Sequence, residues 1–402
     1  MGSGPSPDRP QPRGTSARTE VPRPTRPAWA EIDLDAVRDN LRALRGAAAP
    51  ARMLAVVKAD AYGHGAVHVA RVAVEAGAWG LGVATVDEGI ELRRAGIAAA
   101  VLVLGAVRPE EAEAAVAHDL RLTVSETTVA LAASRTAGTA GRVARLHLKV
   151  DTGMGRLGVA PGDAVPLANR IAGLPHVVLE GCFTHFAGAD EVDPASASGQ
   201  LEVFRAVLEG LERAGVRPTL RHAANSAATL ALPASRLDLV RCGIALYGIP
   251  PAPHLAGRVA LRPVMRLCAR IVYRKRVPAG TPVGYGHTHR TSRETTLATL
   301  PVGYADGYPR LAGDGCTVLL AGRCAPIVGR ISMDQMTVDA GDTPVEPGDE
   351  VELWGPAVPV EIVARAARTI SYEVLARTAR RVPRVYLERG RVCAVRTLCG
   401  DQ

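Results

Sequence analysis

Leu54-Ala55-Val56-Val57-Lys58-Ala59-Asp60-Ala61-Tyr62-Gly63-His64-Gly65 runs four apolar residues directly into a lysine and then into a turn closed by two glycines. A short unbroken apolar run bounded by turn residues reads as a strand buried in a parallel sheet. Val67, Ala70, Val74 and Gly77 open a helical repeat beyond it. Lys58 therefore falls at the carboxyl end of a strand, where α/β folds place their chemistry. Desolvation there lowers the pKa of an amine, and the larger neutral fraction is nucleophilic. That is the setting a Schiff-base lysine needs.

Composition sharpens this reading. Of 48 Lys and Arg residues only Lys58, Lys149 and Lys275 are lysine. Arginine is never deprotonated in proteins and cannot act as an amine nucleophile. A lysine kept in such a background is a candidate for amine chemistry. Lys275 lies within Arg274-Lys275-Arg276 and reads as a solvated basic patch, whereas Lys58 and Lys149 both end apolar runs.

A chain of 402 residues suggests two domains, or one barrel with an addition. The hydrophobic content of 47% with few aromatics fits an Ala/Val/Leu-rich α/β protein. Part of the net charge of +8 comes from residues 1–27, which are rich in Pro, Arg, Ser and Gly. That segment cannot bury a core and reads as a disordered arm. It lacks the roughly 7–15-residue apolar stretch of a secretion signal, and no segment approaches about 18 uninterrupted apolar residues. Its arginines are not interleaved with base-stacking aromatics, which argues against nucleic acid. The seven cysteines are scattered and contain no Cys-x-x-Cys pair. Reduced thiols in the cytoplasm and no metal site follow as expectations.

From Ala28 the chain repeats an apolar strand, a polar turn and an alanine-rich helix. Strands are expected near 53–57, 80–85, 100–105, 120–124, 144–150, 179–184, 220–224 and 239–246, with helices such as 86–95, 109–117, 163–172 and 200–214 between them. Eight such units match an N-terminal (β/α)8 TIM-like barrel, with an open doubly wound sheet as the alternative. Polar residues follow strand after strand: Lys58 and Tyr62, Lys149, Asp151 and Arg156, His185, Asn225 and Ser226, and Arg241. In a barrel these converge on one mouth. After about residue 262 strand-like runs with turn punctuation take over, interrupted by one helix near 360–378. The expected domains are thus an arm at 1–27, an α/β barrel at 28–257 and a mostly β domain at 258–402.

Taken together, residues from about Ala28 to Arg396 resemble the alanine racemases. Val57-Lys58-Ala59-Asp60-Ala61-Tyr62-Gly63-His64-Gly65 is similar to that family's cofactor-lysine signature, and Lys149-Val150-Asp151-Thr152-Gly153-Met154-Gly155-Arg156-Leu157-Gly158 is equally family-like. Thr184-His185-Phe186, Ala224-Asn225-Ser226 and Arg241-Cys242-Gly243-Ile244 follow in order. Val283-Gly284-Tyr285-Gly286, Gly303-Tyr304-Ala305-Asp306-Gly307 and Ser332-Met333-Asp334-Gln335 carry the likeness into the second domain.

The resemblance implies a pyridoxal 5'-phosphate (PLP) enzyme that interconverts L- and D-alanine, a cytoplasmic homodimer supplying D-alanine for peptidoglycan. It implies that Lys58 bonds PLP covalently, that Tyr62, Ser226 and the amides of Gly243 and Ile244 hold its phosphate, and that Asn225 belongs to the cofactor site. Arg241, supported by His185, would face the pyridine nitrogen. Lys58 and Tyr285 would be the two proton-handling groups, Tyr285 reaching the site from a partner subunit. Lys149 would be carbamylated and orient Arg156, which with the partner's Met333 would hold the substrate carboxylate. Some members carry a second tyrosine at the substrate entrance, and Arg380 is expected in its place here. The alternatives are a serine or broader-range racemase, a non-catalytic PLP-binding barrel, and a sugar-phosphate barrel enzyme without PLP.

Overall fold

The computed structural model describes residues 24–313 and 315–401. The arm expected over 1–27 therefore lies, up to residue 23, outside the described residues.

Eight short parallel strands form the first sheet: β2 (Arg52–Val56), β3 (Gly80–Val83), β4 (Ala100–Val103), β5 (Arg121–Val124), β6 (Ala144–Lys149), β7 (Val177–Phe183), β8 (Leu220–His222) and β9 (Leu239–Cys242). Each pairs with the next from β2 to β8, and β9 returns to pair with β2. Between β8 and β9 the gap is bridged by Asp238 N–H donating to Arg221 O (3.0 Å) and Arg241 N–H donating to Ala224 O (2.9 Å). All eight expected strands are present, in a barrel that is nearly closed. Buried Leu, Val and Ala fill it, as a parallel sheet covered on both faces requires.

The second unit is mostly β. Its large sheet centres on β1 (Ala28–Asp33), which pairs antiparallel with β10 (Met265–Arg270) and parallel with the strand Arg384–Glu388. The first strand among the described residues thus lies in the second unit's sheet, not in the barrel where a boundary at residue 28 would put it. Its partners are more than 230 positions away, so no local pattern could reveal the pairing. The single helix expected over 360–378 is two, Val360–Ala366 and Ser371–Ala376, separated at Arg368, whose φ of 57° breaks the helical path. A two-stranded ribbon, Pro282–Val283 with His289–Arg290, presents the turn that carries Tyr285.

Candidate active site

The carboxyl ends of the barrel strands open on a cavity of about 850 Å3 lined by Lys58, Tyr62, Lys149, Arg156, His185, Asn225, Ser226, Arg241, Gly243 and Ile244. These are ten of the twelve residues singled out from the sequence, brought together by five strand ends and the loops after them.

Lys58 leaves β2 into an unusual turn. Ala59, Asp60, Ala61 and Tyr62 all have φ of 53–54°, a left-handed path that L-residues adopt only at a cost. Three sets of contacts hold it. The Glu88 carboxylate accepts from Ala59 N–H (2.8 Å) and from Ala84 N–H (2.6 Å). Asp60 accepts from Ala66 N–H and pairs with Arg396. The Arg384 guanidinium donates twice to Gly63 O. The turn aims Lys58 and Tyr62 into one cavity. Burial, reinforced by the Arg156 and Arg241 guanidiniums and opposed by Glu88, holds the Lys58 amine below the usual lysine range.

Tyr62 is packed against Tyr247, ring centroids 4.8 Å apart, and Tyr247 donates its hydroxyl to Val56 O (2.9 Å). Burial raises the Tyr62 phenol to about 12, so it remains a neutral hydroxyl. Its oxygen presses against Gly243: a Cβ there would overlap it and lie 3.1 Å from the ring Cζ. Ser226 Oγ accepts from Gly243 N–H at 2.9 Å. Asn225 caps the short helix Ser226–Ala231 by accepting from Ala228 N–H.

Arg241 sits buried in β9. Its Nη2 donates to Thr184 O (2.8 Å), Ala223 O (2.9 Å) and His185 Nδ1 (3.2 Å), and its Nη1 to His222 Nδ1 (3.1 Å). Burial lowers it to about 9 and leaves it cationic near neutral pH. An arginine can only donate, so His185 must accept at Nδ1 and carry its proton on Nε2. Burial, with Arg241 and Lys149 alongside, drives His185 down to about 2. Lys149 lies at the end of β6 with its ammonium nitrogen 4.3 Å from the Phe183 ring centroid. Burial and the nearby Arg241 and Arg156 charges hold its amine well below the lysine range. The loop carrying Arg156 is shaped by Asp151, whose carboxylate accepts from the N–H groups of Gly153, Met154 and Gly155.

Tyr285 and Met333 are elsewhere. Both belong to the β unit, are 68% and 53% exposed, and do not line the cavity of their own chain. The Met333 loop is tied to the turn at Gly303, with Tyr304 N–H donating to Ser332 O and Ala305 N–H to Met333 O. The expectation for Arg380 needs correction: it is exposed and off the cavity, while Tyr372, on the helix Ser371–Ala376, lines it 6.1 Å from Tyr62. A tyrosine does stand at the mouth, eight residues earlier than Arg380.

Sequence reasoning missed Gln200. Its Oε1 accepts from Ala187 N–H (2.8 Å), and its Nε2 donates to His185 O (3.1 Å) and Thr152 Oγ1 (3.2 Å). One buried amide thereby joins the loops bearing His185 and Arg156. A glutamine inside an amphipathic helix gives no sign of this. Glu88 and Tyr372 were missed for the same reason, each acting from a helix that reads as ordinary.

The chain matches the family model described as Alanine racemase, N-terminal domain over residues 32–251, and that of the C-terminal domain over 264–386. An alanine racemase of Symbiobacterium thermophilum is 50% identical over 366 residues, covering 90% of this chain and 97% of that protein. One from Desulfovibrio desulfuricans is 46% identical over 366 residues, 90% of this chain and 99% of that one. The crystal structure of alanine racemase from D-cycloserine-producing Streptomyces lavendulae superposes with a TM-score of 0.88 at 46% identity, over 91% of this chain and 98% of that one.

Proposed function

The chain belongs to the alanine racemase family, and from that membership we propose that it racemises alanine by passing the Cα proton between Lys58 and Tyr285. The observation that carries the proposal is the convergence of Lys58, Lys149, Arg156 and Arg241 on one cavity. The amines of Lys58 and Lys149 are both held toward neutrality there.

The cavity fits PLP. The cradle of Tyr62, Ser226 and Gly243 has no room for a side chain at Gly243, so a phosphate can approach the backbone there. Tyr62, Ser226 and the amides of Gly243 and Ile244 would hold that phosphate, Asn225 would fix the helix start behind it, and Lys58 would carry the covalent bond. When bound, PLP supplies an electron sink that acidifies the Cα proton of an attached amino acid. Arg241 would temper that sink: facing the pyridine nitrogen, it would donate a hydrogen bond where a carboxylic acid would donate a proton, and would leave the ring uncharged. This favours return of the proton over other fates.

Racemisation needs a base on each face of Cα. Lys58, as a neutral amine, serves one. Tyr285 serves the other, and because it is exposed and remote in its own chain, a partner subunit supplies it together with Met333. Arg156 and the Met333 amide hold the substrate carboxylate. The Lys149 amine adds to CO2 with loss of one proton, forming an anionic carbamate between Arg156 and Arg241 that replaces like-charge repulsion with attraction. The assembly is a homodimer in the cytoplasm, and its product D-alanine serves peptidoglycan synthesis.

Complementation tests the shared site. Lys58→Ala and Tyr285→Phe should each be inactive, with Tyr285→Phe retaining bound PLP. After verified subunit exchange a mixed dimer has one site with both lesions and one with neither, so activity should return. If none returns, Tyr285 acts in its own subunit and the reading is wrong. Chiral chromatography of alanine and serine measures the substrate range in the same samples.

A further inference from the structure

Arg241 is the upper end of a row of buried side chains that runs down through the barrel, away from the cavity. Its Nη1 lies 3.1 Å from His222 Nδ1. His222 Nε2 lies 2.9 Å from His147 Nδ1, and His147 Nε2 lies 3.1 Å from Glu180 Oε2. The Glu180 carboxylate also accepts from Arg121 Nε (2.8 Å) and faces Arg145 Nε at 3.6 Å. Both imidazoles are fully buried. The barrel makes room for them: a Cβ on Gly181 would fall inside the His147 ring, 2.7 Å from its Cγ. Phe183 stacks on His222 with centroids 4.6 Å apart and 5° between planes.

The direction of every bond in the row is determined. Arginine has five N–H donors and no acceptor, so His222 accepts at Nδ1 and carries its proton on Nε2. That proton is donated to His147 Nδ1, which must therefore be bare, and His147 carries its own proton on Nε2. This last N–H is donated to Glu180, held ionised by His147 and Arg121. Reversing any link would set two donors against each other in the dry interior, where an unpaired polar group is costly.

We propose that Glu180, at the far end of the barrel, is a positioning residue for the active site, fixing through the His147 and His222 tautomers the acceptor that orients Arg241. The inference rests on the reading that Arg241 faces the PLP nitrogen. Its physical content is polarisation: an anion at one end of an aligned row strengthens each donor–acceptor pair along it and offsets part of the arginine's charge. Removing the anion's acceptor frees His147 to turn its proton to Nδ1. His222 then turns its own to Nδ1, where it meets an N–H of Arg241.

The first measurement needs no variant. Long-range 1H–15N correlation spectra of histidine-labelled holoenzyme should show His147 and His222 each neutral and protonated on Nε2 alone. A proton on Nδ1 of either ring overturns the proposal. The second compares Glu180→Leu with Glu180→Gln, which keeps an acceptor oxygen. Glu180→Leu should populate Nδ1–H on His222, shift the visible absorption of bound PLP, and lower kcat about tenfold or more, the scale of a charge-assisted hydrogen bond. KM for alanine should change little, and Glu180→Gln should recover most of kcat. A Glu180→Leu enzyme that is less heat-stable but keeps wild-type tautomers, absorption band and kcat makes Glu180 merely structural and overturns the proposal. If Glu180→Leu does not fold, the wild-type spectra and Glu180→Gln decide. Arg241→Gln separates the two layers. If it leaves absorption and kcat unchanged, the reading of Arg241 itself fails. If it alters both while Glu180→Leu alters neither, only the relay fails.

Discussion

Replacing Gly243 by alanine is the smallest perturbation that should weaken the proposed phosphate cradle without touching a proposed catalytic group. The added methyl would overlap the Tyr62 hydroxyl and sit 3.1 Å from its Cζ. Restoring ordinary contact requires a shift of about 1 Å. Tyr62 cannot retreat freely, because Tyr247 stacks on it and Tyr372 closes the other side. Gly243 has a negative φ of −110°, so the penalty is the overlap rather than a left-handed backbone. Overpacking a filled site costs about 1–3 kcal/mol. If the strain falls on the cradle, PLP should bind roughly 5- to 150-fold more weakly. Fluorescence titration of the apoenzyme with PLP measures this, and a thermal melt confirms that the fold survives. Tyr62→Phe removes the oxygen in conflict, so the two substitutions should be coupled, with the double variant binding more tightly than the single losses multiplied together. Wild-type PLP affinity in Gly243→Ala, or simple additivity with Tyr62→Phe, would refute the cradle.

Further outcomes follow from the buried amines and the loop ties. The Lys149 amine titrates well below its unfolded value of 10.5. Between the two values the unfolded chain binds the extra proton, so apoenzyme stability should rise with pH through that window. In CO2-free buffer Lys149→Met should flatten this rise, and chemical denaturation across the window reads it; an unchanged slope would leave the burial argument without support. Glu88→Gln removes a carboxylate that raises the Lys58 pKa. The pH–rate profile for Lys58 capturing an aldehyde should therefore move to lower pH, and a move upward would contradict the assigned sign. Gln200→Leu strands Ala187 N–H and His185 O. It should cost about 1–3 kcal/mol per stranded group and raise KM for alanine, whereas a rise in stability would show that the loops are held by something else.

What the sequence made legible was local in origin. Eight apolar runs bounded by turns marked the barrel strands because a parallel strand buried on both faces writes itself as continuous Val, Leu and Ala. Lys58, Lys149 and Arg241 were legible because a charged residue ending or interrupting such a run is conspicuous. The pairing of β1 with β10 was not, since β1 has the same texture whichever sheet receives it. The helix break at Arg368 was hidden because a left-handed residue other than glycine carries no compositional flag. Glu88 and Gln200 were hidden for a further reason. Each acts through backbone N–H groups of other loops, and every sequence supplies those groups everywhere.

The charge arrangement explains why so few of these residues stand alone. Lys58, Lys149, Arg156 and Arg241 share one cavity, and four positive groups in a partly dry volume repel one another strongly. An arginine cannot relieve this by losing a proton, but a lysine can. The burden therefore falls on the two amines, and both are driven toward neutrality by burial and by the guanidiniums. Under the proposed function, one arrangement thus prepares two amines for different partners, Lys58 for a carbonyl and Lys149 for CO2. It also explains why Lys58 and Lys149 are lysine in a chain that otherwise uses arginine. Replacing Lys58 or Lys149 by arginine would keep the positive charge and lose the amine, while a lysine in place of Arg241 would itself deprotonate and surrender the fixed cation that holds the other two neutral. Lys58→Arg, Lys149→Arg and Arg241→Lys, each conservative in charge, should therefore fail in different ways: no covalent cofactor in the first, no added mass of CO2 in the second, and amines restored toward their ordinary pKa in the third. Mass spectrometry and the pH titration of aldehyde capture distinguish the three, and a fully active Arg241→Lys enzyme with unshifted amines would defeat this account of the site.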